Sequence, residues 1–283
     1  MSRLPRSRRW SRASGTTAAL AVLAVLPFAL LSGCLGTGRD PAQRPEPRPA
    51  LDAYHLESGT ARSLAGCAYD WRVFEPHGPP ASAVILGHGF LRDQDREVGL
   101  ARALANAGHR AVTLDFCNMR PWNGHHVRNA ADMRALAAVH GLAGRTVYAG
   151  FSAGALAALI AASEDPDALG VVTLDLVDQA GLGAAAAARL EAPLVGIAGP
   201  PAACNAMGNG RAVFAARGAI PPTRSLEAVP GATHCDFESP SDWLCELACG
   251  ESPAVTGAPG TTRRERIVGR AVELVGSLAG RAP

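Results

Sequence analysis

Residues 149–162 read AGFSAGALAALIAA, and this stretch decides how the rest of the chain is interpreted. The segment before it, RTVYA at 145–149, has the β-branched and aromatic residues typical of a buried strand, and the segment after it consists of strong helix formers. Ser152 stands at the junction between Gly150 and Gly154. A serine at such a junction can simply cap the helix, but capping does not explain the two glycines. A G-x-S-x-G turn projects a nucleophilic serine hydroxyl outward, because small neighbours let strand and helix approach closely.

Short apolar segments alternate with helical patterns on both sides of this stretch. Strands are predicted at 83–86, 111–114, 146–149, 171–174, 194–198 and 225–229, with an antiparallel strand at 69–74 before them. Helices are predicted at 97–106, 129–140, 153–162, 184–189, 211–217 and 263–278. This alternation predicts an α/β fold with a mostly parallel central sheet, helices on both faces and the ligand crevice at the carboxyl ends of the strands. Ser152 lies at such an end.

A serine hydroxyl is a weak nucleophile at neutral pH, so it needs a base within hydrogen-bond reach and a third group that orients the base. His234 follows the last predicted strand and a Pro230-Gly231 break, where the chain turns back over the strand ends. We therefore predict that His234 is the base. We interpret the other histidines outside the segment around His88 as surface residues, namely His55, His77, His109, His125, His126 and His140.

Acyl transfer also needs N–H donors directed at the oxygen that becomes negatively charged. One is expected to be the amide of Ala153, at the start of the helix after Ser152. The second is expected after the strand at 83–86, where the chain reads Gly87-His88-Gly89-Phe90 and can present the amide of Phe90. A plain glycine-rich turn is the alternative interpretation of this segment.

Together these motifs resemble the α/β-hydrolase superfamily: GHGF after an early strand, GFSAG at the elbow and GATH after the last strand. The resemblance covers nearly the whole domain and implies a serine esterase or lipase that cleaves carboxylic esters through an acyl-enzyme, with no metal or organic cofactor. The acidic segment after the elbow helix and the cysteine-rich end are similar to chlorophyllase-like and polyester-hydrolase families. Ala153 departs from the bulky polar residue usual in chlorophyllase-like elbows, which argues against a chlorophyll-type substrate.

Two aspartates are candidates for the third member of the triad, the acid that orients His234. Many α/β-hydrolases carry the acid after the strand that here spans 194–198, but residues 192–226 contain no aspartate or glutamate. Asp175 and Asp178 follow the preceding strand. We favour Asp175, because it directly abuts the strand, whereas Asp178 can cap the next helix.

Two further functions remain open alongside the esterase. One is a peptidase or amidase that uses the same triad, and the other is an inactive surface-binding module with the same fold. The substrate is expected to be a small-molecule or polymeric ester. The 27 basic and 25 acidic residues nearly balance, so nothing indicates a nucleic-acid partner, and we expect a monomer.

The N-terminal residues are predicted to lie outside the folded domain. Scattered arginines precede an apolar stretch that ends in Leu31-Ser32-Gly33-Cys34, which predicts a lipoprotein signal peptide at 1–33 and lipidation of Cys34. An ordinary secretory signal is the alternative, and general versus twin-arginine export is open. Residues 34–50 contain four prolines and are predicted to be a disordered tether. The hydrolase domain then occupies 51–283, outside the cytoplasm and anchored to a bacterial membrane.

Six cysteines remain beyond Cys34, an even number in a chain expected to leave the reducing cytoplasm. Disulfides are therefore predicted, although their connectivity does not follow from the sequence. A metal site near His234 is the alternative, but the chain has no C-x-x-C pair. The cysteines are Cys67, Cys117, Cys204, Cys235, Cys245 and Cys249.

Overall fold

The computed structural model describes residues 53–142, 144–215, 223–250 and 262–280. The predicted signal peptide at 1–33, Cys34 and the predicted tether at 34–50 lie outside these residues. Within the described ranges, no helix is both long enough and apolar enough to cross a membrane.

The described part of the chain forms one eight-stranded sheet in the order β1-β2-β4-β3-β5-β6-β7-β8. The strands are β1 (Tyr54–Arg62), β2 (Ala68–Pro76), β3 (Ala83–Gly87), β4 (Arg110–Leu114), β5 (Thr146–Phe151), β6 (Gly170–Leu174), β7 (Leu194–Ala198) and β8 (Arg224–Ala228). β2 is antiparallel to both β1 and β4, and the pairs from β4 to β8 are parallel. The predicted mostly parallel sheet is confirmed, and β5 lies near its centre.

Helices cover both faces of the sheet. They are α1 (Val98–Asn106), α2 (His126–Val139), α3 (Ala153–Ser163), α4 (Leu182–Arg189), α5 (Trp243–Cys249) and α6 (Arg263–Ala279). Buried residues of α2, α3 and α4 share one apolar core, and those of α1 and α6 share the other. Alternate residues of β5 enter the two cores, since Tyr148 joins the first while Val147 and Ala149 join the second. A central strand buried on both faces accounts for the continuous apolar run that precedes the elbow.

Three elements differ from the sequence predictions. β1 was not predicted, because most of its residues are exposed and its sequence YHLESGTAR lacks an apolar alternation. α5 was not predicted either, since it is only seven residues long. The helix predicted at 211–217 is wrong: Ala206–Ala215 forms 3₁₀ turns, kinked where Met207 and Gly208 have positive φ angles of 57° and 71°.

The six cysteines of the described domain form three disulfides: Cys67–Cys117, Cys204–Cys249 and Cys235–Cys245. The predicted use of cysteine in disulfides is confirmed. The sulfurs of Cys235, Cys245 and Cys249 lie within 4.8 Å of one another, as a metal site would require. All three are disulfide-bonded, however, so they do not offer the thiolates that bind metal ions.

Candidate active site

Ser152 lies on the sharp turn between β5 and α3. Its φ of 54° and ψ of −115° are unusual for a residue other than glycine, and a strained backbone of this kind is typical of functional turns. Its amide donates a hydrogen bond to the carbonyl of Leu174 at the end of β6, over 2.9 Å. The neighbouring strand therefore holds the turn in place, and α3 begins with Ala153 directly after it.

The two glycines of the elbow are required by close contact with the end of β3. A Cβ atom on Gly150 would lie 2.6 Å from the carbonyl carbon of Gly154. A Cβ atom on Gly154 would overlap the carbonyl groups of Gly87 and His88. Both positions therefore exclude any larger residue, and this packing brings the segment after β3 next to Ser152.

His234 lies beside the serine. It begins a 3₁₀ turn, His234–Phe237, whose start is fixed by reciprocal hydrogen bonds between Thr233 and Asp236. Nε2 of His234 lies 3.1 Å from Oγ of Ser152, and the aromatic ring of Phe151 packs against the imidazole with centroids 4.6 Å apart. The ring is buried and its position relative to the serine is fixed.

Asp175 completes a hydrogen-bonded chain of three side chains. Its Oδ2 lies 2.7 Å from Nδ1 of His234, and its Oδ1 accepts a hydrogen bond from the amide of Gly199 over 3.0 Å. The residue directly follows β6 with a φ of 45° and is only 2% exposed. Because a carboxylate can only accept, Nδ1 of His234 carries the proton, which leaves Nε2 free to accept the proton of Ser152.

Asp178, the other candidate acid, has different partners. Its Oδ1 accepts from the amide of Gly183 over 2.7 Å, and its Oδ2 accepts from the amide of Ala184 over 3.3 Å. Its carboxylate therefore caps the start of α4, while Asp175 is the aspartate that lies against His234.

Asn205 belongs to the same arrangement and was missed by the sequence analysis. Its Nδ2 donates to Oδ2 of Asp175 over 3.2 Å and to the carbonyl of Pro200 over 2.8 Å. Its Oδ1 accepts from the amides of Ala202 and Gly208. Asn205 is 1% exposed, and its Nδ2 contacts the same oxygen, Oδ2 of Asp175, as the imidazole of His234 does, so it helps to hold the carboxylate in place. The only sequence signal for it was the acid-free segment after β7.

The segment after β3 is held by His88. Its Nδ1 donates to the carbonyl of Gly89 and its Nε2 accepts from the amide of Phe116, both over 2.9 Å. Burial lowers the pKa of His88, so its ring is neutral as these two bonds require. The turn places Phe90 at the border of the same cavities as Ser152, and Ala153 borders one of them. The two residues whose amides are the predicted donors thus lie near Ser152 in different segments: Phe90 in the turn after β3, and Ala153 at the start of α3.

Two of the histidines expected on the surface are buried, so that interpretation was wrong for them. His109 bonds through Nδ1 to Oγ of Ser82 over 2.9 Å. His126 is 7% exposed and borders a cavity beside Ser152. Burial lowers the pKa of both imidazoles. No local pattern indicates their burial, because each lies at the boundary of a strand or helix.

Two cavities open beside Ser152, with volumes of about 420 and 340 Å³. Both are bordered by Phe90, Ser152 and Cys204, so Ser152 faces both cavities. His234 borders the smaller cavity and Ala153 the larger one.

Comparisons with known proteins define the fold. No protein-family model matches the chain, and no curated protein matches its sequence. Among solved structures, the esterase domain of a Rhodothermus marinus protein is similar with a TM-score of 0.55 and 16% identity, over 80% of this chain and 98% of that one. A hyperthermophilic esterase from the archaeon Pyrobaculum calidifontis has a TM-score of 0.56 and 13% identity, over 81% and 86%.

A brefeldin A esterase, named as a bacterial homologue of human hormone-sensitive lipase, is similar with a TM-score of 0.55 and 14% identity, over 82% of this chain and 78% of that one. At such low identities the likeness defines the fold alone. The chain has the α/β-hydrolase fold, as its motifs predicted.

Proposed function

We propose that the protein is a serine hydrolase that cleaves carboxylic esters. The observation that carries the proposal is the continuous hydrogen-bonded chain from Ser152 through His234 to the buried carboxylate of Asp175. The fold adds support, since several solved structures that share it are named as esterases.

In the first half of the reaction, His234 acts as the base. Nε2 takes the proton of Ser152 as Oγ attacks the carbonyl carbon of the ester. The carbonyl oxygen becomes an oxyanion, which the amides of Phe90 and Ala153 stabilise. Asp175 keeps the imidazole in the correct tautomer and stabilises its protonated form. The tetrahedral intermediate then collapses, His234 gives the proton to the leaving alcohol, and the acyl group stays on Ser152.

In the second half, water takes the place of the alcohol. His234 accepts a proton from the water as its oxygen attacks the acyl-enzyme, and the same amides stabilise the second oxyanion. Collapse returns the proton to Ser152 and releases the carboxylic acid. Each step uses groups of this chain, and the proposed reaction calls for no metal ion or organic cofactor.

Labelling with a fluorophosphonate probe tests the nucleophile. The wild type should be labelled and should hydrolyse p-nitrophenyl acetate, whereas Ser152→Ala should not be labelled and should lose up to about 10⁶-fold in kcat. Ser163→Ala is the matched control at the other end of α3, where the hydroxyl only bonds the carbonyl of Ile160. Labelling that persists in Ser152→Ala would contradict the proposal.

Two measurements distinguish an esterase from the two alternative functions, an amidase and an inactive binding module. A higher kcat/KM for p-nitroacetanilide than for p-nitrophenyl acetate would identify an amidase instead. A wild-type protein that folds, binds no probe and hydrolyses neither compound would be an inactive binding module.

We further propose that Cys34 is lipidated and that the domain acts as a monomer outside the cytoplasm, on a bacterial membrane. The lipobox-like segment supports the anchor, and three disulfides suit an oxidising compartment. When the full chain is expressed in a bacterial host, it should partition into the detergent phase, and Cys34→Ser should move it to the aqueous phase without changing kcat/KM. An aqueous wild type would refute the anchor, and a dimer in light scattering would refute the monomer.

A further inference from the structure

The two cavities beside Ser152 differ in chemistry. The larger, here called the His126 cavity, is bordered on its polar part by Asn123, His126, Asp178 and Gln179, and on its apolar part by Phe90, Pro121, Trp122 and Val177. The smaller, here called the Leu244 cavity, is bordered by Leu91, Phe151, Leu244, Ala248 and the disulfide-bonded Cys245 and Cys249. A substrate that occupies both must therefore have two chemically different arms.

The His126 cavity offers neutral hydrogen-bonding groups. Nδ1 of the buried His126 has no hydrogen-bond partner among the described residues, and burial lowers the pKa of this imidazole, which keeps it uncharged. Asn123 and Gln179 contribute amides, which both donate and accept; part of this capacity is already used, since Oδ1 of Asn123 accepts from the amide of His125 and the Gln179 amide interacts with His126. The carboxylate of Asp178 caps α4 and repels other anions. A neutral group with hydroxyls suits this wall better than a hydrocarbon chain or a carboxylate does.

The Leu244 cavity is apolar along α5. The charged side chains that border it, Arg92 and Glu238, are already paired with each other. Arg92 donates to Glu238 from Nε over 2.6 Å and from Nη2 over 3.0 Å, and Nη2 also reaches Asp242 over 2.6 Å. Because these charges satisfy one another, the part of the cavity that remains to be filled is bordered by hydrocarbon and disulfide sulfur. A hydrocarbon group gains from burial there.

The chemistry of the proposed triad decides which arm enters which cavity, so this inference rests on the proposed function. His234 must reach the oxygen of the leaving alcohol in order to protonate it. His234 borders the Leu244 cavity and not the His126 cavity. The alcohol therefore leaves on the side of Leu244, and the acyl group lies on the side of Ala153 and His126.

We propose that the protein prefers esters of a hydroxylated, uncharged acyl group with an apolar alcohol. A fatty acyl ester of a polar alcohol is the opposite case, because it would place a hydrocarbon against Asn123, His126 and Gln179 and hydroxyls against Leu244. The preference follows from the position of His234, which borders the Leu244 cavity and not the His126 cavity.

Three esters test the preference with the wild-type enzyme. Octyl lactate has a hydroxylated acyl group and an apolar alcohol, glyceryl octanoate has the reverse arrangement, and octyl propionate lacks the acyl hydroxyl. The kcat/KM for octyl lactate should exceed each of the other two by about 10-fold, the effect of one well-placed hydrogen bond or a few buried methylenes. A kcat/KM for glyceryl octanoate equal to or above that for octyl lactate would overturn the proposal.

Paired variants assign each arm to its cavity. Leu244→Asp should lower kcat/KM for octyl lactate about 10-fold relative to methyl lactate, whereas Leu247→Asp, on the same helix but not at the border of the cavity and 69% exposed, should leave that ratio unchanged. Gln179→Leu should reduce the preference for octyl lactate over octyl propionate. Equal effects of Leu244→Asp on octyl and methyl esters would place the alcohol elsewhere and overturn the assignment.

Failure of this inference is distinct from failure of the proposed function. If Ser152 is labelled by the fluorophosphonate and p-nitrophenyl acetate is hydrolysed, a reversed ester preference refutes only the assignment of the two cavities. If Ser152 is not labelled and no ester is cleaved, both the hydrolase and its substrate preference are refuted.

Discussion

Oδ2 of Asp175 lies 2.7 Å from Nδ1 of His234, and this contact separates two aspartates that stand three positions apart in the sequence. Asp175 has a positive φ of 45°, which asparagine tolerates as well as aspartate does. Asp175→Asn therefore keeps the backbone but removes the charge and lets the amide favour the wrong tautomer of His234. We predict a loss of up to about 10⁴-fold in kcat with little change in KM, measured with p-nitrophenyl acetate.

Asp178→Asn is the control for this prediction, because the Asp178 carboxylate caps α4 and does not contact His234. It should change kcat for the small, neutral p-nitrophenyl acetate by less than about 10-fold, since it removes part of a helix cap and one charge at the border of the His126 cavity but no contact with His234. A larger loss in Asp178→Asn than in Asp175→Asn would assign the catalytic acid to Asp178.

Asn205 should act as a positioning residue. Asn205→Ala removes the hydrogen bond from its Nδ2 to the Asp175 carboxylate, and such bonds to charged groups contribute about 1.5–3 kcal/mol. We predict a 10- to 100-fold loss in kcat, following from about that energy, while KM changes little because the side chain does not border either cavity.

Asn209→Ala is the matched control for Asn205, since Asn209 lies four residues further along the same loop, in the 3₁₀ segment Ala206–Ala215, but bonds the backbone of Asp178. It should leave kcat nearly unchanged. Similar losses in both variants would show that the segment as a whole matters and not the contact with Asp175.

The parts of the fold that followed from the sequence are those set by local patterns. The strands β3 to β7 are short apolar runs because both faces of the sheet are covered, and the spacing of Gly150, Ser152 and Gly154 marked the elbow because a Cβ at either glycine would clash. The position of Asp175 directly after β6 favoured it over Asp178 as the triad acid, because the sheet holds a residue at the end of a strand in place.

The remaining features depend on contacts between distant residues. The pairing of Cys204 with Cys249 has no local signature. Asn205 acquires its role only when the loop after β7 folds onto Asp175, and α5 is a short helix linked to the domain by two disulfides, which periodicity does not detect. The burial of His126 likewise follows from packing around the cavity.

The disulfides Cys235–Cys245 and Cys204–Cys249 should hold residues of the candidate active site in position, in addition to stabilising the fold. Cys235 directly follows His234 and pairs with Cys245, while Cys204 directly precedes Asn205 and pairs with Cys249. A variant with Cys204→Ser and Cys249→Ser should lose stability by about 4 kcal/mol on the loop-entropy scale and should also lose at least about 10-fold in kcat at a temperature where it remains folded, because Asn205 is no longer held.

The Cys67–Cys117 disulfide is the control, since it joins residues 50 positions apart, against 45 for Cys204–Cys249. Replacement of both of its cysteines by serine should cost about the same stability. Neither cysteine borders the cavities beside Ser152, so kcat of the folded protein should stay near the wild-type value. Equal loss of kcat in both double variants would contradict a specific role for Cys204–Cys249.

The buried side chain of Glu97 should make the free energy of unfolding of the domain depend on pH. The side chain is buried beside Glu238, and Oε1 has no hydrogen-bond partner within the described ranges. Burial, and then the Glu238 carboxylate, raise the pKa of Glu97 well above its ordinary value of 4.5. The folded state therefore keeps a proton that the unfolded chain releases above pH 4.5, so this contribution to stability is present at low pH and is lost as pH rises towards the folded-state pKa.

Glu97→Gln keeps the shape of the protonated acid but cannot ionise. Urea unfolding at pH 5 and pH 8 should show a smaller decline in the free energy of unfolding for Glu97→Gln than for the wild type, by up to about 1.4 kcal/mol for each pH unit between the two pKa values. The exposed Glu191→Gln should follow the wild-type curve, and parallel curves for the wild type and Glu97→Gln would show that Glu97 is not protonated in the folded state.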